Sequence, residues 1–277
     1  MAIAVQSSST TAWANGSTIV LTKPTGLAVG DLMIVHIGVA SGTVTTLSGW
    51  TLVGSKTLTA DSLVSYAFSK IADSTDVAAS NFTFSYSGTL QGAGAILRID
   101  GHSAGAPVYT YASADVTDSS PPAFTNTVTP VATNSMLLML GLARQVDSAT
   151  TISGYAVVTS TPTFTEAYDF NDTGGTGSTY LLCGAYGTRA AVTATGNSTW
   201  NYSAGTNPDA ICQMLVIAPS KDFTILDTVT LTDTFFTTLG IFILDVITIT
   251  DTFTSTISRL WTKLTRNIKT WTNQNKD

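Results

Sequence analysis

The sequence predicts an all-β fold: a jelly-roll-like antiparallel β-sandwich of two pseudo-repeated halves, followed by a C-terminal repeat region and a short helix. Three observations carry this expectation. Only 11% of residues are charged, and Ser, Thr, Gly and Ala fill the polar positions; together with Val, Thr favours pleated, half-buried surfaces. Short apolar runs recur about every ten residues between turn-forming clusters, the rhythm of sandwiches and jelly rolls. One stretch is written twice: the run Leu32–Val39 and the segment Thr46-Leu47-Ser48-Gly49-Trp50 return as Met136–Leu142 and Thr151-Ile152-Ser153-Gly154-Tyr155.

In the first half, strands are expected at Ser17–Lys23, Leu32–Val39, Trp50–Lys56, Ser62–Ile71, Asn81–Ser87 and Gly94–Asp100. Leu32–Val39 is apolar at nearly every position, which reads as a strand buried on both faces. Pro24-Thr25-Gly26, Ser41-Gly42 and Ala72–Asp76 have turn chemistry. Ser103–Pro122, rich in Ala, Gly and Ser, reads as a linker. The second half then offers Phe124–Val128, Met136–Leu142, Tyr155–Ser160, Thr179–Tyr186, Ser198–Ser203 and Ala210–Ala218. Matching positions lie 105 residues apart at Trp50/Tyr155, 116 at Tyr86/Tyr202 and 118 at Leu97/Leu215. The second copy is therefore longer, and Asp169–Ser178 is the expected insertion, a loop suited to recognition. The halves span about 1–102 and 120–220 of a body ending at residue 220.

After Ser220 the character changes. Leu226–Phe235 returns 18 residues later as Leu244–Phe253, a tandem repeat within 223–258. Val229, Leu231 and Phe235, with Ile247, Ile249 and Phe253, alternate with threonines, which is strand patterning. Eighteen residues is also five turns at 3.6 per turn, so a helical reading stays open. Farther on, Ile257, Trp261, Leu264, Ile268 and Trp271 are spaced 4, 3, 4, 3, as on the seam of a coiled coil. They define an amphipathic helix over 254–272, for self-association, docking on the body or contact with a membrane surface.

Several function classes find no support. Residues 1–220 hold six Lys/Arg against twelve Asp/Glu, an acidic balance that disfavours nucleic acid. The longest apolar stretch near the C-terminus, Leu239–Leu244, is far short of a membrane helix. The N-terminus has no basic region or long apolar core, so no signal peptide is expected. Cys183 and Cys212 sit in strand-like runs as buried thiols. The acids are seventeen Asp and one Glu, Glu166. Asp115/Asp118 and Asp169/Asp172 are spaced for a carboxylate site or Ca²⁺ loop, and Asp169-Phe-Asn171-Asp172 loosely suggests the latter. The same residues also suit Asx turns and solvated loops. His36 and His102 lack metal-ligand spacing, and His36 reads as core. Trp13, Trp50 and Trp200, with Tyr86, Tyr180 and Tyr202, suit either sugar stacking or a core. No nucleophile elbow, P-loop or dinucleotide fingerprint occurs. The expectation is a non-enzyme without cofactor or metal.

The segments Ala2-Ile3-Ala4, Lys23-Pro24-Thr25-Gly26, Gly30-Asp31-Leu32-Met33-Ile34, Ser48-Gly49-Trp50-Thr51-Leu52, Gly94–Gly101 and Leu215–Pro219 resemble a family of tailed-phage virion surface proteins: minor tail, head-decoration or fibre-like. Leu47 stands where that family usually has proline, and Tyr155 replaces Trp in the second copy. The resemblance implies a structural virion component, assembled in the host cytoplasm as an oligomer and bound to capsid or tail proteins. A trimer is expected, joined through Leu226 and the apolar residues of the tail. A second expectation is a carbohydrate-binding or adhesin module that reads surface glycans through Asp169, Asn171, Asp172 and nearby aromatics.

Overall fold

The computed structural model describes residues 2–58, 63–87, 91–117, 121–144, 151–159, 161–171, 180–203 and 209–220. The tail residues expected to join chains, Leu226, Val229, Leu231, Phe235, Ile247, Ile249, Phe253, Ile257, Trp261, Leu264, Ile268 and Trp271, lie outside the described residues, as does Asp172. The chain divides into Met1–Thr224 and Ile225–Asp277, and the fold below is that of the first unit.

It is all-β and antiparallel. The strands run β1 (Ala4–Asn15), β2 (Thr18–Thr22), β3 (Leu32–Val39), β4 (Thr51–Leu58), β5 (Leu63–Ile71), β6 (Asn81–Ser85), β7 (Gln91–Asp100) and β8 (Val108–Val116). They continue as β9 (Ala123–Phe124), β10 (Ser135–Arg144), β11 (Ile152–Val157), β12 (Thr165–Asn171), β13 (Tyr180–Arg189), β14 (Ser198–Tyr202) and β15 (Asp209–Ile217). A short helix, α1 (Ser74–Ala78), follows Asp73, whose side chain caps the Thr75 and Asp76 amides. The expected turn at Ala72–Asp76 is thus a capped helical turn; the same Asp/Ser/Thr chemistry serves both.

Two five-stranded sheets form the middle of the body, in the orders β1-β7-β3-β5-β4 and β12-β13-β10-β15-β8. Their inner faces meet in one core, where Leu32, Ile34 and Leu97 pack with Met136, Leu138 and Leu215. Period-two alternation sends the intervening residues outward. Met33, Val35 and Ile37 join Phe82 and Phe84 beneath the β2-β6 pair, and Leu137 and Met139 join Phe124 and Trp200 beneath β11-β14-β9. Every residue of β3 and of β15 is therefore buried. That is the two-faced burial expected of an unbroken apolar run.

The strands missed in the sequence are all edges. β1 and β8 pair on one side only, with β7 and β15. β8 lies within the segment read as a linker, and its half-buried Tyr, Ser and Ala residues carry little apolar signal. β12 covers part of the expected insertion loop: Asp169 and Asn171 are strand residues opposite Cys183 and Leu181. All four edge strands of the two five-stranded sheets, β1, β4, β8 and β12, contain a register shift, a device that discourages edge-to-edge pairing.

Candidate functional site

Polar side chains inside an apolar body are the first place to look for chemistry, because each needs a partner. One such group lies between the two five-stranded sheets. His36 Nε2 is 2.9 Å from Ser65 Oγ, and its Nδ1 is 2.8 Å from the Tyr168 hydroxyl. Gln213 Nε2 donates to the Ser65 carbonyl oxygen at 2.8 Å. All four residues are buried. Desolvation lowers the His36 pKa to about 3, so the imidazole is neutral at ordinary pH. A hydroxyl beside an imidazole has the parts of a nucleophile and base, yet a phenol stands where a carboxylate would orient the base. Burial keeps substrate out. The network ties β3 and β5 to β12 and β15.

Charged side chains at the turns build clamps. Arg98 Nε donates to Asp31 Oδ2 at 2.6 Å, and the same oxygen accepts the Ala28 amide at 2.8 Å. Lys70 Nζ lies 2.6 Å from Asp76 and 3.3 Å from Asp73, and Lys23 Nζ donates to the Val77 carbonyl oxygen. Gly30 and Gly49 have φ of 95° and 80°, a region that β-carbons disfavour. Trp50 rests edge-on against Phe82 and Phe84 at 5.6 and 5.4 Å. Trp13, Trp50, Trp200 and Tyr86 are core residues, and both cysteines are buried free thiols. His102 faces two carbonyl oxygens, of Ser103 and Gly30, at 2.9 Å each.

Asp169 and Glu166 occupy β12 beside β11. A groove of about 510 Å³ opens there, lined by Ser153, Tyr155, Phe164 and Glu166. Asp169 Oδ2 accepts the Ile152 amide at 2.7 Å, whereas its Oδ1 is buried without a hydrogen-bond partner. Burial is the main reason that the Asp169 pKa rises to about 6, with Glu166 adding a repulsive charge. Asp169 thus holds two strands together, and Asp115 pairs with Lys56 at 2.8 Å. Among the described residues no group of three or more His, Cys, Asp and Glu is placed to hold a metal ion, and no helix is long and apolar enough to cross a membrane. Sequence reasoning missed Ser65, Tyr168 and Gln213; a glutamine inside the run Ile211–Ile217 is the signal that would have found the last.

Comparison of the chain with protein-family models, curated proteins and solved structures finds no match in any of the three.

Proposed function

We propose that the chain is a non-enzymatic structural component of a tailed-phage virion, a capsid decoration, head fibre or minor tail protein. The observation that carries this reading is where the resemblance motifs fall. Gly30-Asp31, Arg98 and Gly49-Trp50 make clamps, turns and core contacts, the work of a scaffold. The buried Ser65–His36 pair is sealed between sheets, so the best candidate for catalysis serves cohesion instead. The chain assembles as an oligomer, a trimer in this reading, through the apolar residues of 221–277, and resides in the virion after assembly in the host cytoplasm.

The body is a jelly-roll-like duplication on this reading, and register supports it. Reversing one sheet order aligns β1-β7-β3-β5-β4 with β8-β15-β10-β13-β12. The extra residues then coincide: Gln6 with Tyr109, and Val53 with Ala167. Positive φ coincides too, at Gly30/Asn134 and Gly49/Gly154. Thr51 and Thr165 match through their partners Ser69 and Tyr186, an offset of 114 (165 − 51). Since Trp50/Tyr155 gives 105 (155 − 50), nine added residues sit between Tyr155 and Thr165, ahead of the expected loop.

Proteomics of purified particles from the genome that encodes the chain tests the location, and its absence from particles sinks the proposal. Mass in solution, with and without residues 221–277, tests the assembly. A second reading, a glycan-binding or adhesin module, is favoured by the groove of Tyr155, Phe164 and Glu166 beside the unpartnered Asp169 Oδ1.

A further inference from the structure

A different groove runs along one side of the body, where edge strand β4 of one sheet faces edge strand β8 of the other. Its volume is about 480 Å³, within the roughly 300–1,000 Å³ of small-molecule clefts. Each flanking strand carries one extra residue where its pairing slips. In β4 it is Val53, since Leu52 pairs with Phe68 and Gly54 with Ala67. In β8 it is Tyr109, since Val108 pairs with Ile217 and Thr110 with Val216. Both extra residues line the groove. A bulge re-aims a side chain at a sheet edge, so two bulges deliver an aliphatic and an aromatic side chain to one place. Tyr109 is 58% exposed, the most exposed large aromatic among the described residues.

The fold does not demand a tyrosine there. On the opposite side of the body β1 faces β12 with the same construction, and the extra residues are Gln6 and Ala167. There the sheets are joined directly, Ser8 Oγ donating to the Ala167 carbonyl oxygen at 3.2 Å. Beside its bulges the β1–β12 side is closed by small and polar groups; the β4–β8 side is joined farther along by the Lys56–Asp115 pair and opens at its bulges, where it carries an aromatic face. Tyr111 braces that open side: its ring lies so close over Gly54 that a β-carbon there would sit 2.3 Å from it.

The remaining lining names the ligand. Thr51 and Ser69 contribute hydroxyls, Val53 and Ile71 aliphatic surface, and Lys70 is the one charged residue. Lys70 is engaged by Asp76 and Asp73, which leaves the groove with no cation for phosphate and no carboxylate for a metal or amine. A pyranose ring has C–H groups on one face and hydroxyls around its rim, matching an exposed aromatic ring beside a pair of hydroxyls. We propose that this groove binds a neutral oligosaccharide, with a sugar face on the Tyr109 ring and sugar hydroxyls bonded to Thr51 and Ser69. The ligand class rests on the glycan-binding reading, while the site is moved from β11–β12 to β4–β8.

The test is a glycan array carrying neutral glucans, mannans and chitin oligomers beside sialylated and sulfated glycans. It is probed with the full chain, with Tyr109→Ala and with Glu166→Gln; thermal melts check that each variant folds. The proposal expects at least one neutral glycan to bind, Tyr109→Ala to weaken it at least tenfold, and Glu166→Gln to leave it unchanged. Binding confined to charged glycans, or unchanged in Tyr109→Ala, overturns it. Loss in Glu166→Gln, alone or with Tyr109→Ala, also overturns it while keeping the glycan-binding reading. No binding to any glycan removes both, and none of these outcomes touches the structural role in the virion.

Discussion

His36 Nδ1 lies 2.8 Å from the Tyr168 hydroxyl, a hydrogen bond that joins the two five-stranded sheets inside their shared core. It couples the stability of the whole body to one imidazole that must stay uncharged.

The acid response follows from it. Unfolded, His36 titrates near 6.5; folded, near 3, because burial opposes the charge. Between those values the unfolded chain binds the extra proton, so stability from this group is full above pH 6.5 and is lost as pH falls towards 3. The whole shift is worth roughly 3–5 kcal/mol. Thermal melts of the wild type and His36→Gln from pH 7 to pH 4 check this: the wild type loses more of its Tm, and an equal loss in both would remove His36 as the cause.

Tyr168→Phe deletes the hydroxyl and leaves His36 Nδ1 buried without its partner. A buried polar group stripped of its hydrogen bond costs about 1–3 kcal/mol. Urea unfolding at pH 7 should show a lower midpoint with an unchanged slope, since the exposed area barely differs.

Asp169 acts in the opposite sense. Its folded pKa, about 6, lies above the ordinary 3.8, so folding favours its protonated form and stability is lost as pH rises from 3.8 through 6. Asp169→Asn keeps an oxygen for the Ile152 amide and removes the charge. After discounting for its partial exposure, the gain at pH 7 is about 1 kcal/mol. A variant less stable than wild type at pH 7 would contradict this.

Gly141 is paired with Cys183 on one side and Cys212 on the other. Two strand spacings therefore separate the cysteines, roughly 9–10 Å, too far for a disulfide. A thiol reagent should find no reactive cysteine in the native chain and two in urea. A β-carbon at Gly141 would sit 2.4 Å from Cys183 Sγ and 2.8 Å from Trp200. Gly141→Ala should cost at least the 1–3 kcal/mol of core overpacking, read as a drop in Tm.

Strands that sit inside the sheets were legible because burial on both faces writes an unbroken apolar run. Leu32–Val39 is bounded identically in sequence and structure. The edge strands β1 and β8 were hard to read because half their surface faces solvent: Val108–Val116 reads as linker and Ser7–Thr11 shows no apolar run, and only β7 and β15 supply their partners. His36 was correctly read as core, but its partners Tyr168 and Ser65 lie 132 and 29 residues away, and no local pattern links them. The groove at β4–β8 was invisible for a related reason, since bulges arise from pairing register rather than from composition.

β15 has a mechanical consequence. It is hydrogen-bonded along both edges, from Met214–Met139 to Ile211–Leu142 on one side and from Leu215–Tyr111 to Ala210–Val116 on the other. The residues after it are pinned by the Ala218 and Ser220 amides to the Pro107 and Gly101 carbonyl oxygens. A pull on the chain beyond Ser220, directed along the strand, loads both ladders in shear, so their bonds must fail together rather than unzip one by one. Against such a pull the two ladders resist as one.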